Sequence, residues 1–239
     1  MKALILAGGF ARRLAPLTDF VSKPLLPLGE KLVIDWVLDN LKTIPIDEIV
    51  VSTNRYYEKQ FRYWARCRDE NIRLIIEPTR GEEEKFGAIA GIKYAMDIMG
   101  EDEYIVVAGD NVFDFSMSEF YEFYKKIQGP VLAVYDVESI ELAKRYGVVT
   151  VDEDMKIVNM QEKPDEPEST LISTACYMFP NGIKTMLDEY LSEKKNPDSP
   201  GYFLAWLANK RAVYAYSFTG LWKDIGNLDE YKEVFNRFL

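Results

Sequence analysis

The chain has no histidine in 239 residues and only two cysteines, Cys67 and Cys176. Without histidine, the Ser-His-Asp and Cys-His nucleophile systems are excluded. So are the His-rich zinc and non-haem iron sites. Two cysteines are too few for a four-cysteine zinc or iron–sulfur centre. Lacking a disulfide framework, they suit a reducing, cytoplasmic location. Long apolar runs are missing too. The longest charge-free stretch, residues 169–183, includes Ser, Thr, Asn and Pro, so no membrane span is expected. The apolar run at 3–7 ends in Gly8-Gly9 and is too short for a signal peptide. Positive charge is in deficit, with 29 Lys plus Arg against 39 Asp plus Glu and a net charge of −10. That argues against nucleic acid or an anionic membrane as the main partner. Carboxylates, Lys, Arg, hydroxyls, backbone amides and a hard metal ion remain to do the chemistry.

A chain of this length fits one large domain or two small ones and buries about 70% of its unfolded surface without disulfide staples. Its 48% apolar content is ordinary, and no internal repeat is visible. Short apolar runs at 2–7, 48–52, 72–76 and 104–108 predict buried strands. Helical spacing at 33–41, 57–68, 86–99 and 115–127 alternates with them. This rhythm predicts an α/β fold: a Rossmann-like, mostly parallel central sheet flanked by helices. After Pro130 the pattern changes to strands at 131–136, 146–151, 156–160 and 212–218, then a helix from about 228 to 238. The expected arrangement is a single domain, 1–239, with an inserted antiparallel portion in its second half. Ligands of such sheets lie beyond the carboxyl ends of the strands, so residues after Ala7, Ile76 and Ala108 are the first candidates.

The segment after the first strand reads Gly8-Gly9-Phe10-Ala11-Arg12-Arg13-Leu14 and continues to Ser22-Lys23-Pro24-Leu25-Leu26-Pro27. It matches neither the P-loop nor the dinucleotide fingerprint. Its glycines still allow backbone amides to approach a phosphate chain. Residues 1–28 carry four cations against Asp19, a local +3 in an acidic chain. On composition alone this reads equally as an anion site or as a tight turn with solvated charges. Two carboxylates also end apolar segments, Asp110 in Gly109-Asp110-Asn111 and Asp224 in Trp222-Lys223-Asp224-Ile225-Gly226-Asn227. Taken singly, Asp110 reads as a helix cap and Asp224 as a turn residue. Together with phosphate oxygens they would suit Mg²⁺. The acidic run Asp152-Glu153-Asp154 is expected to be a solvated hairpin turn.

In its spelling, L-A-G-G-x-x-x-R-L followed by K-P-L-L-P, this loop resembles the sugar-1-phosphate nucleotidylyltransferases (NDP-sugar pyrophosphorylases), of which glucose-1-phosphate thymidylyltransferase is a typical member. Further motifs follow in the family's order: G-D-N, Y-G-V-V, E-K-P and W-x-D-x-G. The resemblance implies that Leu6, Ala7, Gly8 and Gly9 wrap a nucleoside triphosphate, with Glu77 and Gly87 at the base. It implies Arg13 and Lys23 as catalytic phosphate contacts and Asp110 and Asp224 as ligands of a Mg²⁺ cofactor. It places Gly147, Glu162, Lys163, Tyr177 and Trp222 around a sugar phosphate. The nucleotide-binding half would be about 1–130 and the sugar-phosphate half about 131–239.

The sequence departs from the family at several positions. Ala11-Arg12 stand where Gly-Thr is common, Leu32 where Pro is common and Asn227 where Thr is common. Ala11 resists positive φ, so the loop path is expected to differ slightly. The segment 77–87 is several residues longer than the family's, and its glutamates at 82–84 read as an acidic first turn of the next helix. The chain ends twelve residues after Asn227, so no β-helical acyltransferase extension is expected.

The activity implied is Mg²⁺-dependent transfer of a nucleotidyl group from a nucleoside triphosphate to a sugar 1-phosphate. Alternatives are a cytidylyltransferase acting on a non-sugar phosphate, a catalytically silent sensing subunit and, less well matched, a glycosyltransferase. Base, sugar and oligomeric state, including a homo-oligomer, stay open.

Overall fold

The computed structural model describes residues 1–238. Along the chain run β1 (Lys2–Ala7), β2 (Pro27–Leu28), β3 (Lys31–Leu32), α1 (Val33–Leu41), β4 (Glu48–Asn54), α2 (Glu58–Arg66) and β5 (Ile72–Glu77). There follow α3 (Ala88–Met99), β6 (Tyr104–Ala108), β7 (Asn111–Phe113), α4 (Met117–Ile127), β8 (Val131–Asp136) and α5 (Ile140–Ala143). The remainder holds β9 (Gly147–Val151), β10 (Ile157–Glu162), β11 (Leu171–Phe179), α6 (Ile183–Ser192), α7 (Pro200–Lys210), β12 (Tyr214–Phe218), β13 (Trp222–Asp224) and α8 (Leu228–Arg237). No helix among the described residues is long and apolar enough to cross a membrane.

These elements form two compact units that interleave along the chain. The first comprises Met1–Lys85, Val107–Asp114 and the segment from Gly220 onward; the second comprises Phe86–Val106 and Phe115–Thr219. The mixed α/β class expected from the sequence is the one adopted. In the first unit β1, β4 and β5 are parallel neighbours, β1 aligned from Lys2↔Glu48 to Ala7↔Thr53 and β4 from Ile49↔Ile72 to Asn54↔Glu77. Helices α1 and α2 lie in this unit. A buried tie fastens them: Asp35 accepts hydrogen bonds from Trp64 Nε1 (2.9 Å) and from Arg68 (2.6 and 2.9 Å). An apolar cluster of Leu14, Leu26, Leu28, Val33, Val112, Ile225 and Val234 joins the glycine-rich loop, the β7–β13 ribbon and α8. Its residues come from all three segments, so burial of their side chains is what closes this unit.

The second unit is largely antiparallel. β10 pairs with β9, β9 with β11, and β11 with β8, while β12 adds to β8 in parallel. β11 bulges between Ser173 and Tyr177, with Ala175 at φ 55°. Asp152-Glu153-Asp154 is the expected turn between β9 and β10, where Asp152 Oδ1 accepts from the amides of Asp154 (3.0 Å) and Lys156 (2.9 Å). Helices α6 and α7 are not expected from the sequence reading, although both carry helical apolar spacing, at Ile183, Leu187 and Tyr190 and at Phe203, Leu204 and Leu207. Ser199-Pro200 at the start of α7 is a further start signal, with proline at the first turn.

Candidate active site

Ala7, Asn54 and Glu77 end the parallel strands β1, β4 and β5, the edge at which ligands of such sheets bind. The last turn of β4 is polar and fully buried, and each side chain serves a neighbour. Asn54 Nδ2 donates to the Gly8 carbonyl (2.9 Å), Thr53 Oγ1 to the Ala7 carbonyl (3.1 Å) and Ser52 Oγ to Glu77 Oε1 (3.0 Å). Leu6 and Ala7 are thus set by the strand, and Gly8 by Asn54. A Cβ at Gly8 would fall 2.9 Å from Glu77 Oε1, so the carboxylate's approach itself requires glycine there, whereas Gly9 faces open space. Burial pushes the Glu77 carboxyl above its usual range, and the Ser52 hydrogen bond opposes the shift. Ser52, Thr53 and Asn54 are absent from the sequence-derived site; the signal was a polar run closing an apolar strand, since buried polar groups need partners.

The basic loop adopts a short 3₁₀ turn at Arg12–Leu14. Ala11 sits before it at φ 47°, ψ 43°, in the left-handed region that the sequence reading expected it to resist. Its carbonyl explains why: it accepts from the amide of Leu14 (2.9 Å) and from Thr18 Oγ1 (2.9 Å), and Leu14 is buried in the apolar cluster. Arg13 is exposed. Arg12 reaches Glu83 at 3.7 Å, an exposed pair. Glu82–Glu84 form their own 3₁₀ turn, with Glu84 accepting from the Arg80 amide (2.8 Å). They are not the first turn of α3, which begins at Ala88 and has no acidic residue there.

Lys23 opens a further 3₁₀ turn, Lys23–Leu25, and turns its ammonium inward. Nζ lies 2.5 Å from Asp110 Oδ2, 3.5 Å from Asp224 Oδ1 and 2.6 Å from the Ile225 carbonyl, with the side chain 9% exposed. The ribbon explains how carboxylates so far apart in sequence meet. β7 pairs antiparallel with β13 in the register Asn111↔Asp224 and Phe113↔Trp222, so Asp110 is delivered beside Asp224. Burial would lower the ammonium's pKa, but the charges of Asp110 and Asp224 outweigh it and hold Lys23 above its usual value. Burial pushes the Asp224 carboxyl upward; Lys23 opposes this, while Asp110 and Glu230 add to it. Asp110 is not a helix cap, a role filled for α4 by Ser116. Its Oδ1 accepts from Asn111 Nδ2 (3.1 Å), and Asn111 Oδ1 is buried without a partner. Asn227 caps α8, accepting from the amides of Asp229 and Glu230 (both 3.0 Å), so the replacement of threonine keeps a capping side chain.

The second unit gathers another set. Glu162, ending β10, is in register with Gly147, which starts β9. A Cβ at Gly201 in the first turn of α7 would lie 2.1 Å from Glu162 Oε2, so this glycine leaves the carboxylate its place. Gly201 is also absent from the sequence-derived site and had no local signal. Lys163, 65% exposed, lies 3.9 Å from the Glu162 carboxylate, whose side chain is 12% exposed. Tyr177 is buried and stacks on Phe179 at 5.8 Å; burial, with the charge of Glu162 adding, pushes its phenol up. Gly87 caps α3 at φ 84°, and the following amide, of Ala88, donates to the Asp198 carbonyl (3.2 Å). Trp222, by contrast, belongs to the first unit and is buried at 6% exposure in β13.

The sequence profile of the nucleotidyl transferase family matches residues 2–239. A glucose-1-phosphate adenylyltransferase of Clostridioides difficile (strain 630) is 30% identical over 249 residues, covering 95% of this chain and 64% of that protein. The chain therefore spans less than two thirds of that relative. A Bacillus anthracis protein described as a glucose-1-phosphate thymidylyltransferase, crystallised with sucrose, superposes with a TM-score of 0.82 at 22% identity, covering 100% of this chain and 95% of that one. A UDP-glucose pyrophosphorylase complexed with UDP-glucose superposes with a TM-score of 0.84 at 22% identity, covering 99% and 97%. At that identity the superpositions establish the fold. The match along the sequence goes further, and by it this chain belongs to the nucleotidyl transferase family.

Proposed function

We propose that the chain transfers a nucleotidyl group from a nucleoside triphosphate to a sugar 1-phosphate, giving an NDP-sugar and pyrophosphate. The observation that carries this reading is the buried Lys23 between Asp110 and Asp224, in the same unit as the Gly8-Gly9 loop at the strand ends. An oxygen of the sugar phosphate attacks the α-phosphorus in line, a new P–O bond forms, and the bond to the β-phosphate oxygen breaks. The nucleophile is already anionic at neutral pH and needs no general base, which fits a chain without histidine. The protein's part is positioning and charge neutralisation. Gly8 and Gly9 would cradle the triphosphate, and exposed Arg13 and Lys23 would meet its oxygens. Glu77 would accept a hydrogen bond from the base. In the second unit Glu162 would accept from sugar hydroxyls beside Gly147 and Tyr177, while Lys163 would meet the sugar phosphate.

The donor set suits Mg²⁺. Asp110 and Asp224 offer hard oxygens, and the orphaned Asn111 Oδ1 adds a buried acceptor beside them. No group of three or more His, Cys, Asp or Glu among the described residues forms a self-sufficient metal cage. Phosphate oxygens would therefore complete the coordination, and a bound Mg²⁺ would neutralise phosphate charge. The two free cysteines, Cys67 exposed and Cys176 buried, support a reducing, cytoplasmic setting.

A pyrophosphate-release screen of nucleoside triphosphates against sugar 1-phosphates with Mg²⁺ tests the reaction and assigns base and sugar. Release with one pairing supports it; no release with any pairing overturns it.

A further inference from the structure

The ammonium of Lys23 is fully engaged. Its N–H donors are matched by Asp110 Oδ2 (2.5 Å), Asp224 Oδ1 (3.5 Å) and the Ile225 carbonyl (2.6 Å). In this arrangement it has no donor left for a phosphate. Asp110 is engaged as well, with Oδ2 on Lys23 and Oδ1 on Asn111 Nδ2. A metal ion bound at the normal Mg–O distance of about 2.1 Å would compete for the oxygen that Lys23 already holds. Lys23 therefore cannot stay where it is and also serve the proposed reaction.

We propose that Lys23 is a resident counter-cation: it holds the divalent-cation position between Asp110 and Asp224 until a nucleoside triphosphate arrives, and then exchanges that position for the phosphates. This rests on the reaction proposed above and specifies how its site is loaded. Two adjacent, half-buried carboxylates repel each other without a cation, so Lys23 keeps the site assembled. The exchange is possible only when Lys23 has a new anionic partner, because an unpaired buried ammonium is strongly disfavoured. Metal and nucleotide consequently bind as a pair, each improving the site for the other, and the reciprocity is thermodynamic. The nucleotide-free protein then resists stray divalent cations, although it carries two carboxylates side by side. Lys23 thus has two duties in sequence: neutralising the acids first, and the substrate afterwards.

The test is Mn²⁺ binding to the nucleotide-free chain, read by electron paramagnetic resonance and calorimetry. Lys23→Met removes the charge and keeps the apolar stem. It is expected to raise Mn²⁺ affinity about tenfold or more, a typical size for coupled sites. The double variant Lys23→Met/Asp110→Asn is expected to lose that gain. Equal or weaker Mn²⁺ binding by folded Lys23→Met overturns the exchange. A wild-type measurement covers the case in which the variant does not fold. The Lys23 ammonium nitrogen resonance is expected to shift when Mg²⁺ and a non-hydrolysable nucleoside triphosphate are added together, and an unmoved resonance overturns the exchange. Pyrophosphate release by the wild type without a Mn²⁺ gain in the variant removes the exchange and leaves the reaction standing. A Mn²⁺ gain without any pyrophosphate release keeps the exchangeable cation position and removes the reaction.

Discussion

The candidate residues of the two units are assembled by different means. In the first unit, Lys23 and Asp224 are 201 residues apart and meet through a buried charge cluster. In the second, Gly147 and Glu162 face each other across a local hairpin, and Lys163 follows directly in sequence. The Lys23 side chain is 9% exposed while that of Lys163 is 65% exposed. A buried, mutually paired cluster is part of what holds its unit together, whereas a cation at the rim of a hairpin is not. Substitutions in the first set should therefore cost both fold and turnover, and those in the second should act on substrate binding alone.

The sharpest test of that contrast is Lys23→Ala. It is expected to lower kcat by about 10²–10³ and to destabilise the protein by about 3 kcal/mol, the low end for a broken buried pair, because the carboxylates left behind are 28–29% exposed. Steady-state kinetics and urea unfolding measure the two, and full turnover would remove Lys23 from the site. Next in size is Gly201→Ala, which pushes Glu162 off its position. It should lower kcat/KM for the sugar phosphate by about 10- to 100-fold, with KM for the nucleotide and the urea midpoint nearly unchanged. A large loss of stability would show that the second unit is as tightly coupled as the first.

Glu77→Gln probes a buried group without a counter-charge. Because its folded-state pKa is raised, Glu77 costs no stability below about 4.5, where both states are protonated. The cost appears as pH rises through the folded value. The Gln variant should thus gain thermal stability over wild type toward about pH 8 and lose the gain near pH 4. A pH-independent difference would mean the carboxyl is not strained by burial. The smallest effect is expected for Ala11→Gly, which relieves a left-handed alanine. A gain of about 0.5–1 kcal/mol, or about 2 °C in Tm, with unchanged kcat is anticipated.

What the sequence made legible follows the same contrast. Strands β1, β4, β5 and β6 are short continuous apolar runs; β1 and β6 end at Ala7 and Ala108 as expected, and β5 runs one residue past Ile76 to Glu77. Helices α1 to α4 announce themselves through periodic burial. The β7–β13 ribbon could not be seen this way, because three-residue strands carry no period and their partners lie in different segments. The acids of the cluster were legible as motif residues; the ammonium locked between them was not, since pairing over that separation is a tertiary fact. Thr53 and Asn54 lie beyond the strand expected at 48–52, and although a polar run there signals a need for partners, nothing local says that their side chains turn back to the glycine loop. Gly201 was missed because its need is set by Glu162, from another element.

The ribbon also has a consequence for the order in which the protein is made. Lys23 and Asp110 leave the ribosome with β7 still lacking its partner strand, and Asp224 emerges only after the second unit has been synthesised. Until then Lys23 has one carboxylate instead of two, and Ile225 and Val234 are missing from the apolar cluster. The second unit, closed by Thr219, can be complete while the first is still open. The charge cluster around Lys23 is therefore completed only once β13 has emerged, and the apolar cluster only once α8 has followed.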